Sequence, residues 1–109
     1  MATHHAKANE IVDLKTWSQD IPVEKSKAVL KTNELEVARL VLPAGKALKE
    51  HQVTGPITVH CIGGSIEFTA MGVTQQLNPD QLLYLAPDEP HALTAITDSI
   101  ILLTIIFKH

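Results

Sequence analysis

The stretch G-K-A-L-K-E-H-Q-V-T-G-P-I-T-V-H-C-I-G-G, residues 45–64, carries the pattern that decides the fold. From Ile57 to Ile62 the side chains alternate between two faces, because Ile57, Val59 and Cys61 fall on one side of an extended chain and their neighbours on the other. A period of two predicts a β-strand. Pro43-Ala44-Gly45 and Gly63-Gly64 break the pattern on either side.

Short strands of the same kind are predicted along most of the chain. Turn-forming residues separate them about every 8–12 positions, which is typical of a β-sandwich or barrel. Met71-Gly72 predicts a hairpin between two of these strands. The predicted segments are Ala28 to Leu30, Leu35 to Leu42, Ile57 to Ile62, Ile66 to Ala70, Val73 to Leu77, Leu82 to Ala86 (a buried strand), Ala92 to Ile96 and Ile100 to Phe107.

The N-terminal region differs from the rest of the chain, and we expect two parts: an arm over residues 1–25 and a β-domain over residues 26–109. The first ten residues are polar and rich in Ala, so His4 and His5 are interpreted as incidental residues of a terminal tail. The segment from Ile11 to Ile21 is expected to form a short helix or an arm lying on the barrel or on a partner subunit. Its single Trp, Trp17, is interpreted as covering part of the core.

Composition limits the classes of function. The chain has 109 residues, a formal charge of −3 and scattered lysines, which argues against a nucleic-acid partner. Cys61 is the single cysteine, so no intramolecular disulfide is possible, and we expect a cytoplasmic protein. The longest apolar run, Ile100 to Phe107, is far shorter than the roughly 20 residues of a membrane-spanning helix, so no membrane insertion is expected.

Two histidines stand out by their positions. His51 follows the break at Gly45 and is expected to start a strand region, while His91 follows a loop with two prolines and is expected to start a later strand. In an antiparallel barrel two such strand starts can lie side by side at one mouth. Neutral imidazole is a good ligand for transition metals, so His51 and His91 are the predicted metal ligands, with hydrogen-bonded or solvated loop histidines as the alternative.

The residues 45–64 also resemble the first motif of the cupin superfamily, G-x5-H-x-H-x3/4-E-x6-G. Gly45, His51 and Gly64 match its first Gly, first His and last Gly. The segment D-Q-L-L-Y-L-A-P-D-E-P-H-A-L-T-A resembles the second motif, with Pro87 and His91 in place. The resemblance extends over about residues 35–107. It implies an all-β, single-domain cupin barrel of jelly-roll type, similar to the small single-domain bacterial cupins of unassigned function.

The departures from those motifs shape the expected function. Val53 stands where the second His of the motif is usual, and Ile57 stands in place of its Glu. Asp80 and Asp88 stand where glycines are usual. Of the four metal ligands that the resemblance implies, only His51 and His91 remain. Losing the anionic ligand disfavours a divalent cation and makes the pocket more apolar, which suits a neutral or hydrophobic small molecule.

Several other side chains are candidates for the same site. Strand parity places His60 on the face opposite Cys61, so neither a third ligand nor a His–Cys catalytic pair is favoured, and Cys61 is interpreted as a small buried hydrophobe. Glu89 is a possible late carboxylate ligand, although an exposed loop position is favoured. Tyr84 has the alternatives of a hydroxyl in the cavity or a strand-core residue. Glu50 and Gln52 flank His51 and are expected to be solvated.

Two functions follow as hypotheses. The first is a small-molecule-binding cupin with a depleted, two-histidine metal site. The alternative is a metal-dependent cupin enzyme of dioxygenase or isomerase type, in which His51 and His91 hold one divalent ion (Zn, Fe, Mn, Ni or Cu). A third hypothesis is an oligomer-forming structural protein. We expect a homodimer, which is compatible with either function above. Ile100 to Phe107 is apolar on both faces and needs cover on both sides, which the second sheet and a partner subunit can provide.

Overall fold

The computed structural model describes residues 7–14 and 26–107, and its regular structure there is entirely β. The strands follow one another with short connections, as the turn residues of the sequence predict. They are β1 (Lys27–Lys31), β2 (Leu35–Leu42), β3 (Ala47–His51), β4 (Ile57–Gly63), β5 (Ile66–Ala70), β6 (Val73–Leu77), β7 (Leu82–Leu85), β8 (His91–Ala95) and β9 (Ser99–Ile106).

The strands form two antiparallel sheets. A five-stranded sheet has the order β1-β2-β9-β4-β7, and a four-stranded sheet has the order β3-β8-β5-β6. The two sheets pack face to face, because each has one apolar face that must be removed from water. The chain crosses repeatedly between them, so residues far apart in sequence become neighbours on one sheet.

The core fills the space between the sheets and is built from aliphatic side chains, one phenylalanine and the single cysteine. Alternation places these side chains inward: Ile57, Val59 and Cys61 of β4 are buried, whereas Thr58, His60 and Ile62 between them are half-buried. The four-stranded sheet contributes buried residues from β5 and β8 in the same way. The central cluster is Leu42, Ile57, Val59, Cys61, Ile66, Phe68, Leu77, Leu85, Leu93, Ala95 and Ile101.

The predicted all-β sandwich barrel is confirmed, and the hairpin at Met71-Gly72 joins β5 to β6 as expected. Two details of the strand prediction are wrong. His51 ends β3 instead of starting a strand, because the extended segment begins at Ala47, directly after the Gly45 turn. β7 is not a buried strand, since it lies at the edge of its sheet with Leu82 and Tyr84 exposed.

Backbone conformation explains several motif positions. Gly64 has a φ of +76°, and a Cβ there would collide with the Asp98 carbonyl and with Ser99, so only glycine fits. Asp80 and Asp88, which replace the usual glycines, have φ values of 69° and 65°. Asp is among the few residues that tolerate this left-handed region, so the turns are preserved without glycine.

The N-terminal part is described only in residues 7–14, where Lys7 and Glu10 close a turn through two hydrogen bonds. Ile11 is almost fully exposed there. His4, His5 and Trp17 lie outside the described residues, as does most of the predicted arm, and the division at residue 25 stays a prediction. In the described part of the chain no helix is long and apolar enough to cross a membrane.

Candidate functional site: the His51–His91 pair

The antiparallel pairing of β3 with β8 brings the two predicted histidines together. His51, at the end of β3, is the register partner of His91, at the start of β8, although they are far apart in sequence. The register is irregular between Leu48 and His51, where β3 has one more residue than β8. The extra residue shifts the alternation of side chains along β3, and as a result the His51 side chain lies on the same face of the sheet as that of His91.

The two imidazole rings are in contact, with centroids 4.3 Å apart and ring planes at 61°. Each ring is fixed by the backbone: Nδ1 of His51 lies 3.0 Å from the Lys49 carbonyl oxygen, and Nδ1 of His91 lies 3.1 Å from that of Glu89. A carbonyl oxygen can only accept a hydrogen bond, so both Nδ1 atoms carry the proton. In the neutral rings both Nε2 atoms are therefore acceptors with free lone pairs.

The environments of the two rings differ. His91 is only 4% exposed and stacks on the buried ring of Phe68, with centroids 5.7 Å apart, whereas His51 is exposed. Burial lowers the pKa of His91 below 6.5; the Glu89 carbonyl opposes this shift and the neighbouring His51 adds to it. The pair therefore consists of an inner ring that stays neutral at pH 7 and an outer ring open to solvent.

Solved structures that superpose on this chain identify the architecture. A conserved protein of unknown function from Streptococcus pyogenes superposes with a TM-score of 0.80 over 100% of this chain and 97% of its own, at 21% identity. A cupin superfamily protein from Desulfitobacterium hafniense DCB-2 gives 0.79 over 95% of both chains, at 13% identity. The chain has the cupin fold. An RmlC-like cupin from Shewanella frigidimarina agrees, with a TM-score of 0.71, 16% identity and coverage of 74% and 73%.

Sequence comparison alone does not reach this result, since no protein-family model and no curated protein matches the chain. The resemblance to small cupins is thus confirmed at the level of the fold. It rests on identities of 13–21%, which carry no information about the ligand.

Aliphatic side chains occupy the two positions that the motif resemblance makes ligand positions. Ile57 is buried between the sheets, and Val53 packs against the same core. The Val53 carbonyl accepts a hydrogen bond from the Asp88 amide at 2.8 Å, which ties the segment after His51 to the loop before His91. Beside the imidazole pair the interior of this barrel is therefore apolar.

Three other candidate side chains, those of His60, Tyr84 and Cys61, lie away from the His51–His91 pair. His60 is the register partner of Leu82 and of Leu102, both on the outer face of the five-stranded sheet. Tyr84 is 64% exposed on that same outer face, so neither of its predicted placements is correct. Cys61 is fully buried, and burial, with a smaller contribution from Asp80, raises the pKa of its thiol to about 11.

Glu89 contributes in a way that the sequence did not reveal. Its backbone carbonyl orients the His91 ring, and the residue also lines a cleft of about 360 Å³ that borders His91. The cleft borders His91 but extends over the outside of the four-stranded sheet, where Thr69 and Ala92 pair with outward side chains. It is lined by Glu50, Thr69, Ala70, Met71, Gly72, Glu89, Pro90, His91 and Ala92.

A metal ion would find an incomplete donor set. Two neutral imidazoles are suitable ligands, and their Nδ1–carbonyl hydrogen bonds are the usual support for a metal-binding histidine. Protein metal centres normally have three or four protein ligands, however. Among the described residues no group of three His, Cys, Asp or Glu side chains is placed to hold an ion.

Proposed function

We propose that this chain is a small-molecule-binding cupin in which His51 and His91 form the polar end of an otherwise apolar site. One observation carries the proposal: both Nδ1 atoms are bound to backbone carbonyls, which leaves two Nε2 acceptors on rings 4.3 Å apart. A single small ligand can contact both rings at this separation. Sites of this kind, mostly apolar with a few fixed polar groups, are typical of small-molecule pockets.

The chemistry of the pair defines the ligand. Two Nε2 acceptors favour a hydrogen-bond donor, such as a hydroxyl or an N–H group, over a carboxylate or phosphate, which brings only acceptors. The lowered pKa of His91 supports the neutral state of the inner ring near pH 7. The packed Val53, Ile57 and Phe68 favour an apolar body on the ligand. We therefore expect a neutral, largely apolar molecule carrying one or two donors.

Matched pairs of fragments test this expectation, because the two members differ only in the donor. Phenol and anisole form one such pair, and a primary alcohol and its methyl ether form another. Ligands that bind only the folded state raise its Tm, so the donor-bearing members should raise Tm and the ethers should not. His51→Ala should abolish the shift without unfolding the protein, because His51 is exposed. Equal shifts from both members, or shifts that survive His51→Ala, contradict the proposal.

The second candidate is a metal-dependent cupin enzyme of dioxygenase or isomerase type. The Nδ1–carbonyl hydrogen bonds favour it, since they direct Nε2 of His51 and of His91 toward a ligand. A bound Zn, Fe, Mn, Ni or Cu ion would supply a Lewis acid with positions open to substrate. The missing carboxylate and third imidazole make this candidate the weaker one.

Metal content separates the two candidates. The protein is purified without an affinity tag, and its bound metals are measured in the wild type and in His51→Ala and His91→Ala. A stoichiometric ion that both variants lose supports the enzyme. A protein that keeps its fold without metal, and takes up none from Zn²⁺ or Ni²⁺ at micromolar concentration, supports the binding module.

A further inference from the structure

Another cleft, of about 470 Å³, lies between edge strands of the two sheets. β6 is at the edge of the four-stranded sheet, β7 is at the edge of the five-stranded sheet, and residues 78–81 connect them. None of the residues that line this cleft belongs to β3 or β8, so it is separate from the His51–His91 pair. The lining consists of Gln75, Gln76, Leu77, Gln81, Leu82 and Leu83.

Asn78 fixes the orientation of two of the three glutamine amides. Its backbone N–H donates to Oε1 of Gln81 at 2.8 Å, and its Oδ1 accepts from Nε2 of Gln76 at 2.9 Å. Asn78 is held in turn by the Ser65 hydroxyl, which donates to the same Oδ1 at 2.9 Å. Within the described part of the chain, two N–H donors of Gln81 and the Oε1 acceptor of Gln76 are therefore available to a ligand.

The rest of the lining is uncharged as well. Leu77 is buried, Leu83 is half-buried and Leu82 is exposed, so apolar surface lies beside the amides. Gln75 adds a third amide, which is exposed although its register partner Phe68 points into the core. A charged ligand would lose hydration here without meeting an opposite charge among the lining residues. The cleft therefore suits an uncharged ligand with several hydrogen-bonding groups.

We infer that this cleft binds a neutral polyhydroxylated molecule of the sugar class. A hydroxyl both donates and accepts, so hydroxyls spread around one ring can meet the donors of Gln81 and the acceptor of Gln76 together. The C–H groups of the same ring can cover the leucine side chains. Carboxylates and phosphates bring only acceptors and ammonium groups only donors, so each of them leaves one of the two amides unmatched.

Nitrogen–proton correlation NMR of the full chain tests the inference, because side-chain amides give their own signals. The protein is titrated with methyl glucoside, methyl galactoside and methyl mannoside. At least one of them should shift the amide signals of Gln75, Gln76 and Gln81 in a saturable manner and leave those of Gln52 in place. The O-methylated form of that glycoside keeps the acceptors without the donors, and it should bind at least about tenfold more weakly.

Gln81→Glu is the sharpest variant, because it keeps the acceptor for the Asn78 N–H and replaces the two donors by a second acceptor. It should weaken glycoside binding at least about tenfold. Gln75→Glu should act in the same direction, and its side chain takes no part in the hydrogen bonds of Asn78. Gln52→Glu is the matched control, since it makes the same change at an exposed position outside the cleft. It should leave the affinity unchanged.

Several results overturn the inference. One is a titration in which none of the three glycosides shifts the three glutamine signals. Others are equal binding of the O-methylated form, wild-type affinity in both Gln81→Glu and Gln75→Glu, or an equal loss in Gln52→Glu. Circular dichroism should show an intact fold in each variant, because all three side chains are exposed. His51→Ala should leave the glycoside titration unchanged, so this test and that of the histidine site can fail separately.

Discussion

His51 and His91 face each other across β3 and β8, and each ring is held by the carbonyl two residues before it. The two residues nevertheless play different physical roles. His91 is buried against Phe68, so its ring is part of the packed interior, while His51 is open to solvent. In the proposed function, a ligand arriving from solvent would meet the exposed ring first and the buried ring behind it.

The buried ring predicts a loss of stability in acid. Burial depresses the pKa of His91 below 6.5 in the folded protein, so the unfolded chain binds a proton first as pH falls. The contribution of neutral His91 to the free energy of unfolding is complete above pH 6.5 and is lost as pH falls from 6.5 through the folded pKa. Urea unfolding of the metal-free protein at pH about 7.5 and about 5.5 measures this difference.

The variant His91→Gln isolates the contribution, since its side chain does not titrate. It should be less stable than the wild type at pH about 7.5 and should show a smaller decrease toward acid, because the remaining titrating groups are shared. Parallel pH dependence in the two proteins would show that His91 has the same pKa in the folded and unfolded chains.

A second prediction concerns the single thiol. Cys61 is fully buried, and its Sγ donates to the carbonyls of Gly63 and Gly64 at 3.4 Å. With the pKa of the thiol raised to about 11, only about one molecule in ten thousand carries the thiolate at pH 7. The native protein should therefore react with DTNB only at the rate at which it unfolds, whereas the denatured chain should react at once. Rapid labelling of the native protein would contradict this.

The glycines permit a matched comparison. Gly64 and Gly72 both have positive φ, at +76° and +75°. A Cβ added at Gly72 would meet open space, whereas a Cβ added at Gly64 would collide with the Asp98 carbonyl and with Ser99. Gly72→Ala should cost about 1 kcal/mol for the backbone conformation alone. Gly64→Ala should cost roughly 3 kcal/mol or more, because backbone must also shift. Chemical denaturation of the two variants checks the order, and similar costs would refute the steric argument.

Much of this fold could be predicted from alternation and turn residues. The β5–β6 hairpin follows from Met71-Gly72, and the inward set of β4 follows from Ile57, Val59 and Cys61, because period-two patterns fix which face is buried. The exposure of β7 could not be predicted in this way. L-L-Y-L is apolar at every position, and only the sheet order shows that β7 is an edge strand with Leu82 and Tyr84 outside.

Turn residues also predicted part of the candidate site, but only part of it. The positions of His51 and His91 between turn signals indicated that they would meet. Their fixed tautomers depend on the Lys49 and Glu89 carbonyls, whose directions are set by the bulge in β3 and the loop before β8. The directions of these carbonyls depend on the tertiary structure, and no residue type in the sequence predicts them.

The aliphatic replacement of motif ligands leads to a final prediction. The cupin resemblance implies that position 53 is a ligand position. The structure places Val53 near both histidines. It follows His51 by two residues, and its carbonyl accepts a hydrogen bond from the Asp88 amide in the loop before His91. Val53→His should add a third imidazole and raise the affinity for Zn²⁺ or Ni²⁺ at least about tenfold, because each added ligand strengthens a two-histidine site. Titration calorimetry measures the change.

Val53→Gln is the control, as it makes the position polar without an imidazole, and it should leave the metal affinity at the wild-type level. An unchanged affinity in Val53→His would mean that position 53 does not face the pair.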